Sequence, residues 1–587
     1  MRWYIAENKR KIASESFEGH SDRIEMGGEQ VSCAVTYGVK CGEPYYKRQF
    51  AFPNFRTQPN NTCATYYPET DKSPIVFQTK ETFGRVEFDG VLSVCSRAGD
   101  LTVVRRFFPS VELPVFYEQL ELCNSGKNQA FAKWEELKRI DLRLTCQGYV
   151  YFECSCNTPC RSIESGERLT LTFAYTARYA NEEKAKEENP LEKRRVRVGE
   201  ILSQCDMTTG NEIVDTMFAL SKLRAAEGLC RTVKGLIHNP GGLAYYAAIW
   251  CNDQCEYVAP WFAFTGDKKE TEATRNIYGW YYPYFNDGYL PIPSSIICGG
   301  TDNFGCAGDR GDAEMYLYGL SRVLLTQGEL PNAEQKKALD WCVEYIRRNL
   351  TADGVVYSDS DELENRISSG VNLNTSSLAY GGLCNYAILL KRMGKGEEAE
   401  SILALQQTIK NGIEKYFGGE VAGYKTYHYH KGCDVIRAWN CLPVYMGITE
   451  RAKDTLKSID EKLWTDGSCR STEGENTLWD RSALYYLATL FRAGEKEKAW
   501  ARLKEYCNTR LLGDHVPYAV EAYPEGGMRH LSGESGLFCR VFMDGLLNIG
   551  FDEKGYTIKA QLPEEVKRVT VKNIYLNGKT ENIDVKR

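Results

Sequence analysis

The feature of this 587-residue sequence that most constrains its fold is a turn that recurs five times. Each time, the apolar end of one predicted helix meets a glycine and a second helical pattern begins at once, as in LLTQGELPNAEQKK. Glycine is the usual residue at a left-handed helix end, and a tight antiparallel return follows such an end. The five glycines are Gly266, Gly328, Gly394, Gly447 and Gly494.

Long segments separate these tight turns, near residues 234–256, 281–311, 351–375, 418–437, 464–478 and 511–533. Helices that alternate in direction place all the short turns on one side and all the long loops on the other. The pattern therefore predicts a closed ring of six helical hairpins, an (α/α)6 barrel, over residues 211–550. An open solenoid is the structural alternative. Within the ring, Asn332 and Gln335 resemble a capping pair at a helix start.

The flanking segments are expected to be of other kinds. Residues 1–180 contain short stretches rich in Val, Thr, Tyr and Phe, separated by turn residues, and predict a β-sandwich. Residues 181–210 are highly charged and predict a solvated, partly helical linker. Residues 551–587 return to β alternation and predict a small C-terminal β domain. The chain is thus predicted to be multidomain and mainly α.

Composition narrows the classes of partner and compartment. The formal net charge of −6 and the pI of about 5.8 give no reason to expect nucleic acid or an anionic membrane as partner. The first twenty residues lack the apolar core of a signal peptide, so the 22 cysteines are expected to be reduced thiols in the cytoplasm. Cys154, Cys156 and Cys160 lack a second pair at zinc-finger spacing, and no metal or cofactor is expected.

The long loops carry nearly all the unusual polar residues. A long, carboxylate-rich loop between two helices, such as TADGVVYSDSDELENRISSGVNLNT, is more often a site than a spacer. Acids near helix starts also cap amides and stabilise the helix dipole, which explains Asp312, Asp480 and Glu534 equally well. Capping explains Glu362 and Glu521 less well, because they lie further from predicted helix starts.

Carboxyl groups that converge from opposite loops can act as a general acid and a general base. Inverting hydrolysis of a glycosidic bond requires such a pair, roughly 6.5–9.5 Å apart, and no metal. The candidate catalytic residues are Glu362, Glu364, Glu521 and Glu534. The candidates for binding the substrate are Trp250, Asp253, Asp309, Arg310, His428, Trp479, Asp480 and His530.

Three loose motifs and the C-terminal segment resemble those of the six-hairpin glycoside hydrolases, a group that includes glucoamylases, trehalases, processing α-glucosidases and α-L-rhamnosidases. W-C-N-D at 250–253 resembles the W-x-x-D element that holds the sugar in the −1 subsite of glucoamylase-like enzymes. Glu362, with Arg366 and then VNLN, is similar to the acid segment D-x-x-x-R followed by D-L-N, with Glu in place of Asp. E-A-Y at 521–523 resembles the E-x-Y base segment, and QLPEEVKRVTVKNIYLNGK is similar to the C-terminal β domain of α-L-rhamnosidases.

The resemblance implies an exo-acting, inverting glycosidase that removes a terminal sugar, an α-glucoside or α-L-rhamnoside, from a small glycoside or oligosaccharide. Glu362 would be the general acid, with its pKa raised by neighbouring acids, and Glu521 the general base. Glu364 is an alternative acid, and Glu525 and Glu534 are alternative bases. The substrate-binding candidates would hold the sugar ring.

Three other functions fit the same pattern. A polysaccharide lyase could draw its base from the Tyr and His residues of 427–430. A non-catalytic sugar-binding scaffold would keep the ring without the chemistry, and a phosphorylase would use inorganic phosphate in place of water. The sequence fixes neither the sugar and its linkage nor the oligomeric state.

Overall fold

A computed structural model of the chain describes all residues except 1–2, 7–9, 16–20, 57–64, 157, 242–247, 298–302, 306–307, 368, 514–515 and 524–530. The described part begins with β-structure, continues through a long helical region and ends in small antiparallel sheets. Among its helices, none is long and apolar enough to cross a membrane.

Two large antiparallel sheets form most of the N-terminal region, and a small one pairs Ile75–Phe77 with Ala132–Trp134. In spatial order, the first contains Tyr4–Ile5, Ile12–Ser14, Glu81–Phe88, Leu92–Ala98, Leu101–Pro109, Val115–Asn124, Arg168–Tyr179, Gly148–Cys156 and Leu137–Thr145. The second contains Ser21–Gly27, Ser32–Lys40, Glu43–Arg56 and Thr65–Tyr66, and Glu69–Thr70 also pairs with Glu43–Arg56. Alternate residues of both sheets face one core, where Phe50 of the second sheet lies 4.9 Å from Phe152 of the first, between ring centroids.

The helical region alternates two sets of helices along the chain. The helices are α1 (Pro190–Ser203), α2 (Glu212–Ala226), α3 (Ala259–Phe262), α4 (Lys268–Gly279), α5 (Asp312–Gln327), α6 (Ala333–Arg348), α7 (Leu373–Arg392), α8 (Gly396–Gly412), α9 (Leu442–Met446), α10 (Ala452–Lys462), α11 (Asp480–Arg492), α12 (Lys496–Leu512) and α13 (Gly533–Arg540). A π-helical segment, Cys251–Val258, leads into α3, and another, Val541–Leu546, continues α13.

The five tight turns follow the prediction. The turn glycines all have positive φ, with values of 68° at Gly266, 70° at Gly328, 74° at Gly394, 108° at Gly447 and 85° at Gly494. The predicted capping pair is also confirmed, since the Asn332 side chain accepts from the Gln335 N–H and the Gln335 side chain accepts from the Asn332 N–H, both at 2.9 Å.

One set of helices is packed on all sides and follows the long loops. It consists of Cys251–Val258 with α3, then α5, α7, α9, α11 and α13. Successive members of this set contact each other, and α13 contacts Cys251–Val258. Every residue of α5 is buried, whereas α6, from the other set, buries only one face. Helices α2, α4, α6, α8, α10 and α12 pack against this first set.

The C-terminal strands lie against the short turns. Arg568–Leu576 pairs with Lys579–Lys586 and with Asp206–Thr208. The N–H of Asn577 donates to the carbonyl of Thr326 at 2.8 Å, next to the turn at Gly328. This sheet therefore covers the side of the helical region opposite the long loops. Along the chain, the described residues thus form a β-rich N-terminal region, a helical region and small C-terminal sheets.

Candidate active site

Arg481, near the start of α11, holds together carboxyl groups from distant parts of the chain. Its Nε donates to Glu534 Oε1 at 2.9 Å, and its Nη2 donates to the same oxygen at 2.5 Å. The same Nη2 lies 3.4 Å from Glu521 Oε1 and 3.5 Å from Asp253 Oδ1. Residues in or next to the first, fifth and last long loops thus meet at one guanidinium group, as expected if these loops converge.

Glu362, from the third loop, joins this group through Tyr257. The Tyr257 hydroxyl donates to Glu362 Oε2 at 2.7 Å, and the guanidinium of Arg481 lies 5.6 Å from the Tyr257 ring centroid. Glu362 is buried, and its Oε1 has no hydrogen-bond partner among the described residues. Burial raises its pKa to about 7, against the opposing charge of Arg481 and the Tyr257 hydrogen bond. Burial, more than neighbouring acids, is therefore the cause of the raised pKa expected from the sequence.

Asp253 interacts electrostatically with both Glu362 and Glu521. Burial raises its pKa to about 6, Arg481 opposes the rise, and the charges of Glu521 and Glu362 add to it. Burial likewise raises the pKa of Glu534 to about 7, with Asp253 contributing. Carboxyl groups with raised pKa values that share one cation are typical of sites that transfer protons.

Glu256 lies three residues after Asp253 on the same π-helical segment. It is buried, its Oε1 accepts from the Tyr485 hydroxyl, and its backbone carbonyl accepts from Arg540 at 2.5 Å. Burial and the charge of Glu362 raise the pKa of its carboxyl well above the ordinary value. The segment Cys251–Val258 is therefore held to α11 and α13 through the side chain and the backbone of Glu256.

Arg310 and Asp309 connect the second loop to the acid segment. Arg310 donates to Asp312 Oδ1 at 2.8 Å and to the backbone carbonyl of Glu362 at 3.3 Å, and its guanidinium lies 5.3 Å from the Trp250 ring centroid. Asp309 accepts from the Tyr345 hydroxyl at 2.6 Å and from a backbone N–H at 2.9 Å. Burial raises the pKa of Asp309 to about 6. Since both oxygens of Asp309 accept from protein groups, we interpret it as a support for the loop.

Trp479, Asp480 and Glu521 are fixed together by a short pair of strands. Leu478–Trp479 pairs with Ala522–Tyr523, so that Trp479 lies beside the segment of Glu521. Asp480 bonds to Arg510 of α12 through Oδ1 and accepts from the Val520 N–H at 3.0 Å through Oδ2. Asp480 thus contacts α12 and the backbone just before Glu521, and its sugar-binding role stays a prediction.

The remaining predicted residues lie less centrally. Glu364 has φ of 62°, its side chain is 41% exposed, and Oε1 lies 3.9 Å from Arg310. His428 bonds through Nδ1 to the carbonyl of Cys433 at 2.9 Å, whereas the neighbouring Tyr429 donates to Asp361 Oδ2 at 2.8 Å. Tyr429, and not His428, thus contacts the acid segment. His530 and Glu525 lie outside the described residues.

Sequence reasoning missed Arg481 as the central cation and both Tyr257 and Tyr485. Tyr257 is four residues after Asp253, a spacing that places both side chains on one face of a helix. That signal was present in the sequence. Nothing in the sequence indicates the pairing of Tyr485 with Glu256, because it joins segments 229 residues apart. Among the described residues, no three His, Cys, Asp or Glu side chains are grouped as metal ligands.

No family model and no curated protein matches the sequence. Among solved structures, the chain is similar to a candidate kojibiose phosphorylase from human microbiome, with a TM-score of 0.58, 10% identity and coverage of 100% of this chain and 95% of that chain. A bacterial glucoamylase complexed with acarbose gives a TM-score of 0.52, 10% identity and coverage of 91% and 97%.

A sialidase gives a TM-score of 0.50 and 11% identity, and the match covers 98% of this chain and 61% of the sialidase. The chain shares its fold with these proteins. The resemblance to glucoamylases is confirmed at the level of fold. At such low identity the likeness carries no assignment of activity.

Proposed function

We propose that the protein is a carbohydrate-active enzyme, a glycoside hydrolase that removes a terminal sugar with inversion. The observation that carries the proposal is the carboxyl of Glu362. It is buried, has one oxygen without a partner among the described residues, and has a pKa of about 7. A carboxyl that keeps its proton near neutral pH is what protonation of a leaving glycosidic oxygen requires.

Glu521 is the proposed general base. Its side chain is 22% exposed and lies 3.4 Å from Arg481, whereas Glu534 is fully buried and bonded twice to the same guanidinium. A base that activates water needs access to water, which favours Glu521. Glu534 then serves to hold Arg481 in place. In a single displacement, water attacks the anomeric carbon as the bond to the leaving oxygen breaks. Glu362 gives its proton to the leaving oxygen, and Glu521 takes a proton from the attacking water.

The −1 subsite is proposed to lie between these two carboxyl groups, above Asp253. Trp250 and Trp479, both half-buried, offer apolar ring surfaces to a sugar, and Asp253 offers a carboxylate to its hydroxyls. The buried Glu256 and Tyr485 support a pocket with a blind end, which suits exo cleavage. We also infer that the two sets of helices form a closed (α/α)6 barrel, because the last helix of the buried set contacts the first.

Phosphorolysis is the second candidate, because one structural neighbour bears the name of a kojibiose phosphorylase. A phosphorylase must bind a phosphate ion where the attacking water would be. Arg481 lies at that side of the site, but its guanidinium already contacts Asp253, Glu521 and Glu534. Three carboxyl groups around one cation disfavour an added anion, so hydrolysis is the preferred reaction.

The test is a panel of aryl glycosides and small oligosaccharides, with the anomer of the first product followed by proton NMR, with and without phosphate. We expect an inverted free sugar at a rate that does not depend on phosphate. Glu362→Gln and Glu521→Gln should each lower kcat by about 10²–10⁴-fold. The matched variant Glu364→Gln should keep most activity. A sugar phosphate product would favour the phosphorylase, a product that absorbs in the near ultraviolet a lyase, and binding without turnover a scaffold.

A further inference from the structure

An edge strand of the N-terminal β region is joined to the last long loop of the helical region. Ser21–Gly27 is the first strand of its sheet and pairs on one side with Ser32–Lys40. On its other side, the backbone N–H of Glu25 donates to the Tyr518 hydroxyl at 3.1 Å, and that hydroxyl lies 3.5 Å from the Glu25 carbonyl. Buried backbone groups at a sheet edge need partners, and Tyr518 supplies one.

Tyr518 is held in this position from several sides. It is 1% exposed, and the guanidinium of Arg224, from α2, lies 5.5 Å from its ring centroid. Arg224 Nη2 is also 3.1 Å from Glu25 Oε2, and both of these side chains are buried. The tyrosine is therefore fixed between the β region and the helical region, with little freedom to change rotamer.

The short segment from Tyr518 to Glu521 is anchored at each residue. The carbonyl of Ala519 accepts from Ser535 Oγ at 2.7 Å, and the N–H of Val520 donates to Asp480 at 3.0 Å. The N–H of Asp480 donates to the carbonyl of Glu521 at 3.1 Å. Because these bonds leave the backbone between Tyr518 and Glu521 little freedom, a shift of Tyr518 would also move the carboxyl of Glu521.

We infer that the N-terminal β region positions the general base, and that Tyr518 is the residue through which it does so. The inference rests on the proposed function, because it takes Glu521 as the base. Tyr518 is a positioning residue: it touches the β region and not the reacting atoms. A misplacement of about 1 Å in a catalytic group can cost on the order of 10²-fold in rate, so this contact controls turnover.

The test is a double-mutant cycle on the full chain. Tyr518→Phe removes the acceptor for Glu25 N–H, and kcat is expected to fall about 10- to 100-fold with KM changed less than about 2-fold. In the Glu521→Gln background, the same substitution should cost less than about 2-fold, because a residue that acts through Glu521 has nothing left to position. The control is Tyr66→Phe, which also removes a tyrosine hydroxyl bonded within the β region, to Asp141 at 2.9 Å, and should leave kcat unchanged.

Hydrogen exchange supplies a readout that does not depend on turnover. Amides of residues 516–523 should exchange faster in Tyr518→Phe than in the unmodified chain, while those of α11 should not. Equal fold-losses of kcat in both backgrounds, or unchanged exchange at 516–523, would overturn the inference. If Glu521→Gln keeps full turnover, the proposed base is wrong. In that case a loss of turnover with Tyr518→Phe also overturns the link to Glu521, while faster exchange would support the anchoring contact alone.

Discussion

At the scale of single residues, the site is a set of buried acids held by one arginine. A buried charge is costly unless it is paired, and Arg481 pairs directly with three carboxyl groups. Burial raises the pKa of Asp253, Glu362 and Glu534, so part of this set is neutral near pH 7. Proton sharing, rather than complete ionisation, is how so many acids coexist in one pocket.

The hydrogen bond from Tyr257 to Glu362 leads to a prediction for the pH dependence of kcat/KM. A general acid works in its protonated form, so kcat/KM should fall as pH rises through the Glu362 pKa of about 7. The Tyr257 hydroxyl lowers that pKa, because it donates to the ionised carboxylate. Tyr257→Phe should therefore move the basic limb of the kcat/KM profile to higher pH. Tyr429→Phe, which removes a donor to the neighbouring Asp361, is the matched control. A basic limb that moves to lower pH would contradict the assignment of Glu362.

The sequence could indicate candidate residues for the site, but not what each one contacts. The W-x-x-D motif and the acid segment led to Asp253 and Glu362, which lie at the same cluster in the structure. The bond between Asp480 and Arg510 could not be foreseen, because it depends on a helix that begins sixteen residues later. Side-chain direction at a helix start is decided by packing, which no local pattern records.

At the scale of elements, the turn glycines were the sequence feature that best predicted the helical hairpins. Each of the five has a left-handed φ at or shortly after the end of a helix, and each marks one short return between a buried helix and its outer partner. These turns are predictable because only glycine adopts such φ values without strain. The small strand pairs within the long loops, such as Leu478–Trp479 with Ala522–Tyr523, were not predicted. They are two residues long and join segments distant in sequence, so they have no periodicity to detect.

Two of these glycines make a matched pair for a stability prediction. Both have positive φ, but a Cβ at Gly494 would meet no atom within 4 Å, whereas one at Gly328 would lie 2.7 Å from Asn577 Cα. Gly494→Ala should therefore cost about 1–2 kcal/mol of unfolding free energy through backbone strain alone. Gly328→Ala should cost more, since the C-terminal strand must also move. Urea unfolding would measure both, and equal costs would show that the contact at Asn577 does not matter.

At the scale of the whole molecule, a buried ionic network joins the β region to the helices. Arg224 of α2 lies 3.1 Å from Glu25 of the β region and 3.6 Å from Glu227. Arg194 of α1 also bonds to Glu227 and donates to the carbonyl of Gly27 at 3.1 Å. The charged stretch 181–210, predicted from the sequence to be a solvated, partly helical linker, contains a helix whose Arg194 is buried against both regions. Charge density alone could not distinguish a solvated helix from one that seals an interface.

From this network we predict that the β region and the helical region unfold together only while Arg224 is present. Arg224→Met leaves the buried carboxylate of Glu25 without this partner, and removal of one member of a buried pair typically costs about 3–5 kcal/mol. Because the lost contact lies between regions, calorimetry should show the β region melting at a lower temperature and separately from the helices. Arg568→Met, which breaks an exposed pair with Asp584, should leave the melting profile unchanged. A single unsplit transition in Arg224→Met would mean that the remaining contacts, among them the bond from Arg194 to the Gly27 carbonyl, are enough to couple the two regions without the Arg224–Glu25 pair.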